Sequence, residues 1–161
     1  MLDSFRTLTY IRISPEQLSV RNVKSGEEIS EVPELALSAP PKIKILGAGT
    51  QARMFALNEG GVVVNPFSHP RSMVSDFTAA EQLLKAFVRR LQGRSIFAMS
   101  PLVVMHPLGD PAGGFTQVEY RAFREMAHGA GASTVLMWHG QQLTDQQILS
   151  REFPVGGEIK E

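Results

Sequence analysis

One stretch of the chain, residues 102–138, has the pattern of a strand, a loop, a helix and a second strand. Residues 102–105 form an unbroken apolar run with two β-branched members, which is typical of a strand buried on both faces. Thr116 and Glu119 then fit a capping box, and apolar residues follow at helical spacing. Residues 133–138 supply a second apolar strand. Because such a crossover joins parallel strands, the sequence predicts an α/β fold.

The other segments predict a hairpin before this unit and a long helix leading into it. Residues 10–23 alternate in two runs around a turn at 14–17, which is typical of antiparallel strands. A helix is predicted over 77–91, with Asp76 or Thr78 as its cap. Between hairpin and helix we expect an edge strand at 42–46, a turn and helix start at 47–54, and a strand at 62–67. The last residues, 153–161, read as a polar tail.

Composition excludes several classes of function. The chain has 161 residues, of which 43% are hydrophobic, and this suits a single globular domain. Sixteen basic residues balance sixteen acidic ones, so no overall charge favours nucleic acid as a partner. There are no cysteines, which excludes disulfides and is compatible with the cytoplasm. No apolar run approaches the roughly 20 residues that span a bilayer.

The core unit also carries a resemblance to a known family. Residues 116–119, 121–122, Glu125 and 129–132 resemble the MreB family of bacterial actin-like proteins, which form membrane-associated filaments involved in rod shape. Asp76 and the apolar residues of the 77–91 helix are similar to the same family. The resemblance implies an actin-like/ribonuclease-H-like domain, a mixed sheet flanked by helices. It further implies that 1–161 is a single first domain, with a small inserted subdomain at about 33–75.

Two segments that act on the bound nucleotide in the family differ in this sequence. In the family, the first hairpin holds a loop with a metal-organising Asp and a glycine, but 11–17 has Ile11 at the Asp position and no glycine. After the second core strand, Gly140 stands where the family has a catalytic carboxylate, and glycine cannot polarise water. We expect the family's second domain to lie outside this chain. The resemblance therefore predicts a non-enzymatic, half-length protein without a cofactor. One alternative is an ATPase half-site completed by a partner chain, and another is a degenerate product that only folds.

The resemblance also indicates a membrane contact. In the family, a loop before the first core strand projects two bulky apolar residues into the membrane, and Ile96 and Phe97 stand in the matching place. Nearby arginines would favour docking at a lipid surface. The alternative is that both side chains pack beneath the loop. Leu2 and Phe5 fit either a short membrane-lying helix or a frayed terminus. The expected location is the cytoplasm, with peripheral contact at the inner face of the membrane.

A final prediction concerns partners. Without a second domain, the helix expected over 141–149 should expose apolar surface, and this makes Leu143, Gln147 and Ile148 candidate interaction residues. The expected partner is a second copy of the chain or an actin-like filament protein. His106 and Asp110 raise the question of acid-base chemistry, but a single His at a strand end is usually just hydrogen-bonded. The remaining histidines lack the spacing of a metal site.

Overall fold

The computed structural model describes residues 7–93 and 101–161. In chain order the elements are β1 (Leu8–Ile13), β2 (Leu18–Asn22), β3 (Glu28–Glu31), β4 (Leu35–Leu37), β5 (Ile45–Ala48), α1 (Ala52–Glu59), β6 (Val62–Val64), α2 (Phe77–Gln92), β7 (Leu102–Pro107), α3 (Gln117–Gly129), β8 (Thr134–His139), α4 (Asp145–Ser150) and β9 (Glu158–Lys160). The main sheet has the spatial order β3-β2-β1-β7-β8-β9, and a smaller sheet has the order β5-β4-β6. With helices packed against both sheets, the predicted α/β class is confirmed.

The centre of the main sheet is parallel and its flanks are antiparallel. β1 runs parallel to β7, and β7 runs parallel to β8. On one side, β2 and β3 continue from β1 as the predicted hairpin and a further antiparallel strand. Every residue of β7 is buried, as expected for a strand covered on both faces. The strand, helix and strand unit predicted for residues 102–138 is therefore confirmed.

Helices α2 and α3 cover one face of the main sheet through the apolar stripes predicted from their spacing. Leu83, Leu84 and Phe87 of α2, together with Phe123 and Met126 of α3, are fully buried in one cluster. Burying a side chain of this size contributes roughly 1.5–3 kcal/mol. These contacts hold α3 against the parallel strands β7 and β8, and α2 against the antiparallel strands β2 and β3.

Side-chain caps determine where both long helices begin. The Asp76 carboxylate accepts a hydrogen bond of 3.0 Å from the Ala79 amide at the start of α2. At the start of α3, the Thr116 hydroxyl accepts from the Glu119 amide at 3.1 Å. The Glu119 carboxylate in turn accepts from the Thr116 amide at 2.8 Å. The predicted capping box is therefore present, and Asp76 rather than Thr78 is the cap of α2.

The segment that follows β8 covers the second face of the main sheet. Helix α4 begins after Thr144, whose hydroxyl accepts a hydrogen bond of 3.2 Å from the Gln147 amide, so the helix is shorter than the predicted 141–149. Beyond it, Phe153 stacks on the indole of Trp138, with ring centroids 5.6 Å apart. The prediction of a polar tail over residues 153–161 is wrong in one respect, because this segment contains β9, which pairs antiparallel with β8.

The small sheet and α1 lie within the range assigned to the inserted subdomain, about 33–75. Ala52 and Ala56 of α1 pack on Ala36 of β4 in a separate apolar cluster. The Glu31 carboxylate connects this part to the main domain: it accepts from the Thr50 amide at 2.9 Å and from the Arg90 guanidinium of α2. β5 begins three residues later than expected, and β6 ends before the proline that the prediction had included.

None of the helices in residues 7–93 and 101–161 combines the length and apolar character needed to cross a bilayer.

Candidate functional site at the ends of the parallel strands

The three parallel strands end at the same edge of the main sheet. β1, β7 and β8 are followed by residues 14–17, 108–116 and 140–144, respectively. In open α/β sheets, ligands bind in the crevice outside the carboxyl ends of the strands. We call these three segments the strand-end site, because a nucleotide or substrate bound to this fold would lie against them.

The first segment of the strand-end site, the turn at 14–17, has few backbone amides free to bind an anion. The Ser14 amide donates to the Gln17 carbonyl at 2.9 Å, and the Gln17 amide donates to the Ser14 hydroxyl at 3.1 Å. Pro15 has no amide hydrogen. Within the described contacts of this turn, Glu16 has the one amide without an acceptor, and its own carboxylate repels an anion. Phosphate-binding loops aim several successive amides at the ligand.

A chain of buried hydrogen bonds attaches the third segment to the strands. The Leu143 amide donates to the Tyr10 hydroxyl at 3.2 Å, and that hydroxyl lies 2.6 Å from Nδ1 of His106. On the other side of the imidazole, Nε2 lies 3.0 Å from the Gly140 carbonyl oxygen. Because a carbonyl oxygen can only accept, Nε2 carries the proton and the Tyr10 hydroxyl donates to Nδ1. The network therefore holds residues 140–143 against β1 and β7.

Burial sets the protonation state of this network. The side chain of His106 is 2% exposed, and burial lowers its pKa from 6.5 to about 4, against the raising effect of the hydrogen bond to Gly140. Burial likewise raises the pKa of the Tyr10 hydroxyl above 10.0. Both groups are neutral at pH 7, as the hydrogen-bond directions require. His106 positions the backbone after β8 and has no free nitrogen for proton transfer.

Gly140 lies in a closed environment. A Cβ atom on Gly140 would lie 2.7 Å from Cζ2 of Trp138 and 3.0 Å from the Cα of Gly157. The indole is held in place, because its Nε1 donates to the Gln141 carbonyl at 2.8 Å. A carboxylate side chain at position 140 would therefore have to displace Trp138 or the segment that leads into β9.

His106 of β7 and Asp110 of the second segment do not form a catalytic pair. His106 is buried among β1, β7 and Gly140, whereas Asp110 is exposed on the loop that follows β7. In the part of the chain that the structure describes, no group of three or more His, Cys, Asp or Glu residues is placed to hold a metal ion.

Two of the three predicted interaction residues are buried, and the third, Gln147, is half-buried. Leu143 and Ile148 are 4% and 0% exposed, and both pack in the apolar cluster on the second face of the main sheet. Gln147 accepts and donates hydrogen bonds within the capping box of α4. The expectation that these side chains form an open apolar surface is wrong, because α4 folds back on the sheet. The membrane-loop candidates Ile96 and Phe97 lie outside the described residues.

Sequence reasoning missed Tyr10 and Trp138, which organise the strand-end site. Tyr10 and His106 are 96 positions apart, so nothing in the local pattern pairs them. The sequence pattern indicates Trp138 only as part of an apolar strand. The adjacent Gly140 and the later Gly157 were signals that a large ring lies close to the backbone there.

Comparison with known proteins decides the family. The profile of the MreB/Mbl protein family matches residues 29–143, well over half of the 161-residue chain. The chain belongs to the MreB/Mbl family. It is 29% identical over 94 residues to the cell shape-determining protein Mbl of Bacillus cereus (strain ATCC 10987 / NRS 248). It is 39% identical over 66 residues to the cell shape-determining protein MreB of Escherichia coli (strain K12).

These alignments cover a limited part of each relative. The Mbl alignment takes in 58% of this chain and 27% of the Mbl protein. The MreB alignment takes in 40% of this chain and 18% of the MreB protein. The chain thus matches less than a third of the length of either relative.

Solved structures confirm the actin-like fold. MreB5 of Spiroplasma citri bound to ADP superposes with a TM-score of 0.63 at 18% identity, covering 82% of this chain and 37% of that one. A non-polymerising A278D mutant of MamK bound to AMPPNP superposes with a TM-score of 0.64 at 12% identity, covering 82% and 40%. At these identities the likeness establishes the fold of this MreB/Mbl protein.

Proposed function

We propose that this MreB/Mbl protein is non-enzymatic and acts in the cell-shape cytoskeleton by assembling with a second copy of itself or with an actin-like filament protein. The strand-end site is the observation that carries the non-enzymatic part of the proposal. Its first turn presents one unpaired amide beside the Glu16 carboxylate, among the described contacts. Its third segment has Gly140 packed against Trp138.

These two features argue against two different steps, the binding of the nucleotide phosphates and their hydrolysis. A β-phosphate or γ-phosphate needs converging donors to offset its charge, and a carboxylate beside it adds repulsion instead. Hydrolysis needs a group that orients and polarises water, and Gly140 has no side chain to do so. Neither role is taken over by His106, because both of its ring nitrogens are engaged.

Exposed apolar side chains on the small sheet and α1 support the assembly part of the proposal. Five of the ten large apolar side chains that are exposed in the described residues lie between positions 43 and 62, and we call them the apolar tip: Ile43, Ile45, Met54, Leu57 and Val62. Leu57 is 84% exposed although it lies on a helix. Ile45 and Val62 pair with Leu37 and so lie on the face of the small sheet away from α1, whereas Met54 and Leu57 are exposed on α1 itself. Because exposed apolar side chains are concentrated in this part of the protein, the apolar tip replaces α4 as the expected contact with a partner.

Sedimentation velocity across micromolar concentrations tests the assembly proposal directly. Wild-type protein is expected to form dimers or larger species, and the double variant Met54→Ser, Leu57→Ser should remain monomeric. Both positions lie on the exposed side of α1, so the fold should persist. The matched control is Val155→Ser, which removes a fully exposed apolar side chain far along the chain and should assemble like wild type.

A second arm uses purified full-length MreB filaments in a co-pelleting assay. If the wild-type protein stays monomeric, the proposal is still supported when it pellets with the filaments and the double variant Met54→Ser, Leu57→Ser does not. Wild type that neither self-associates nor pellets with filaments contradicts the assembly role. ATP-dependent pelleting with a partner chain would favour the alternative, an ATPase half-site completed by that partner.

Peripheral membrane contact is the final part of the proposal, and it rests on the resemblance at Ile96 and Phe97. A single pair of apolar side chains contributes only a few kcal/mol to lipid binding, roughly 1.5–3 for each side chain. Assembly multiplies such contacts, so membrane binding should require the self-associated form.

A further inference from the structure

A cleft between α3 and β9 gathers cationic side chains away from the strand-end site. Its lining includes Tyr120, Arg121, Arg124, Glu125 and Lys160, and it encloses about 560 Å³. Small-molecule sites occupy roughly 300–1,000 Å³, so the space suits a small ligand or a headgroup.

The fold brings these side chains together from distant parts of the sequence. Tyr120 and Arg121 lie four and three positions before Arg124 on α3, so each is a neighbour of Arg124 on the helix surface. β9 pairs with β8 so that Lys160 lies opposite Met137, on the face of the sheet that α3 covers. The Lys160 ammonium lies 4.7 Å from the centroid of the Tyr120 ring. The cleft thus depends on the strand pairing of the last residues.

Two of the three cations have weak internal partners. Arg121 pairs with Glu125 at 2.9 Å, with both side chains more than half exposed. Lys160 pairs with Glu158 at 3.2 Å, and these side chains are 46% and 58% exposed. Exposed pairs of this kind contribute about 0–1 kcal/mol. An incoming dianion can therefore compete for both cations.

The third cation, Arg124, has no ion-pair partner among the described residues. Its Nε atom is buried and makes no hydrogen bond there. A buried donor without an acceptor is costly, and most such groups in folded proteins have a partner. The covered Nε atom cannot itself meet an anion in the open cleft, but the half-buried Arg124 side chain lines the cleft and has no competing carboxylate among the described residues.

We propose that the cleft binds a phosphate group, with Arg124 as its main contact and Arg121 and Lys160 as the flanking cations. The planar guanidinium group binds phosphate oxygens in pairs, whereas the ammonium group acts as a point charge. Three cations that approach from two different elements suit a tetrahedral dianion better than a single planar carboxylate. The phosphate can belong to a soluble anion or to a phospholipid headgroup. The proposal is independent of assembly and of the strand-end site.

Isothermal titration calorimetry with inorganic phosphate and with pyrophosphate tests the site. Arg124→Gln should weaken binding about tenfold or more, as expected for loss of a charge-assisted contact. Lys42→Gln is the matched control, because it removes one exposed cation on the loop before β5 and should bind like wild type. Binding that is equally strong in wild type, Arg124→Gln and Lys42→Gln would overturn the proposal.

A variant that strengthens binding guards against a loss caused by misfolding. Glu125→Gln removes the carboxylate that competes for Arg121 and leaves a side chain of the same size. We expect it to tighten pyrophosphate binding several-fold and to raise the sensitivity of binding to salt, since the released charge is exposed. Unchanged or weaker binding in Glu125→Gln would contradict the assignment.

Vesicle sedimentation distinguishes the two sources of phosphate. Phosphatidylcholine vesicles with and without phosphatidic acid are compared for wild type, Arg124→Gln and Lys42→Gln. Binding that requires phosphatidic acid and Arg124, without measurable binding of free phosphate, assigns the site to a lipid headgroup. Binding of free phosphate or pyrophosphate that depends on Arg124 assigns it to a soluble anion. If neither form binds wild type, the proposal fails.

Discussion

His106 Nε2 donates a hydrogen bond of 3.0 Å to the Gly140 carbonyl oxygen, linking positions 34 residues apart at the ends of two parallel strands. The bond fixes the backbone at Gly140, directly after β8, where the family resemblance implies a carboxylate. Its consequence is that the strand-end site is built as a packed, hydrogen-bonded structure.

Removing the Tyr10 hydroxyl should destabilise the protein. Tyr10→Phe leaves the Leu143 amide and Nδ1 of His106 without a partner, and each buried unpaired group costs roughly 1–3 kcal/mol. Urea unfolding measures the change in free energy. Tyr120→Phe is the matched control, because the Tyr120 hydroxyl has no hydrogen bond among the described residues, and its effect should stay within about 0.5 kcal/mol. Equal effects of the two substitutions would contradict the network.

His106 should make stability fall as the solution is acidified. Its pKa is about 4 in the folded protein and 6.5 in the unfolded chain, so only the unfolded state gains a proton between these values. Stability is therefore fully present above pH 6.5 and is lost progressively down to about pH 4, by roughly 3 kcal/mol in total.

Urea unfolding at a series of pH values checks this dependence. His106→Phe removes the titrating group and should flatten the slope between pH 4 and 6.5, although it lowers stability at pH 7 by leaving Tyr10 without its acceptor. A slope that is the same in wild type and in His106→Phe would show that other groups cause it.

The packing of Gly157 against Trp138 should be sensitive to a single methyl group. A Cβ atom on Gly157 would be closer to three atoms of the indole ring than van der Waals contact allows. A Cβ atom on Gly156 would have no neighbouring atom within 4 Å. Gly157→Ala should destabilise by roughly 1–3 kcal/mol through overpacking, and Gly156→Ala should cost about 1 kcal/mol through its positive φ. Trp138 is the single tryptophan of the chain, so its fluorescence reports the site directly. The emission maximum should shift to the red in Gly157→Ala alone; a shift of the same size in both variants would contradict the packing.

Membrane binding is expected to depend on Ile96 and Phe97. The double variant Ile96→Ser, Phe97→Ser should lose co-sedimentation with anionic vesicles at concentrations where the wild type self-associates. The two proteins should assemble equally well without lipid. Equal sedimentation of both with vesicles would remove the membrane role.

The sequence predicts those parts of the fold that depend on local chemistry. Residue type and spacing identify the capping box of Thr116 and Glu119 and the parallel pairing of β7 with β8, and they narrow the cap of α2 to Asp76 or Thr78. Each of these depends on residues within one element or on a crossover rule that has few exceptions.

The sequence does not predict the contacts between distant segments. β9 has only three residues, all exposed, which is too short a run to predict a strand, and its pairing with β8 is a contact between separate segments. Leu143 and Ile148 look like an unpartnered apolar face until α4 is seen to fold onto the sheet. The Tyr10 and His106 pair joins positions 96 residues apart, which no periodic pattern can reveal.

Binding of Mg-ATP to the pure protein tests the central claim most directly. Isothermal titration calorimetry should detect no micromolar binding, and a phosphate-release assay should detect no hydrolysis, because the turn at 14–17 offers few free amides and Gly140 has no carboxylate. The variant Glu16→Gly, which removes the opposing charge and adds flexibility, serves as the matched comparison in the same turn. The contradicting result is micromolar ATP binding by the wild type, together with weaker binding when residues within 14–17 are substituted. That result would favour the ATPase half-site.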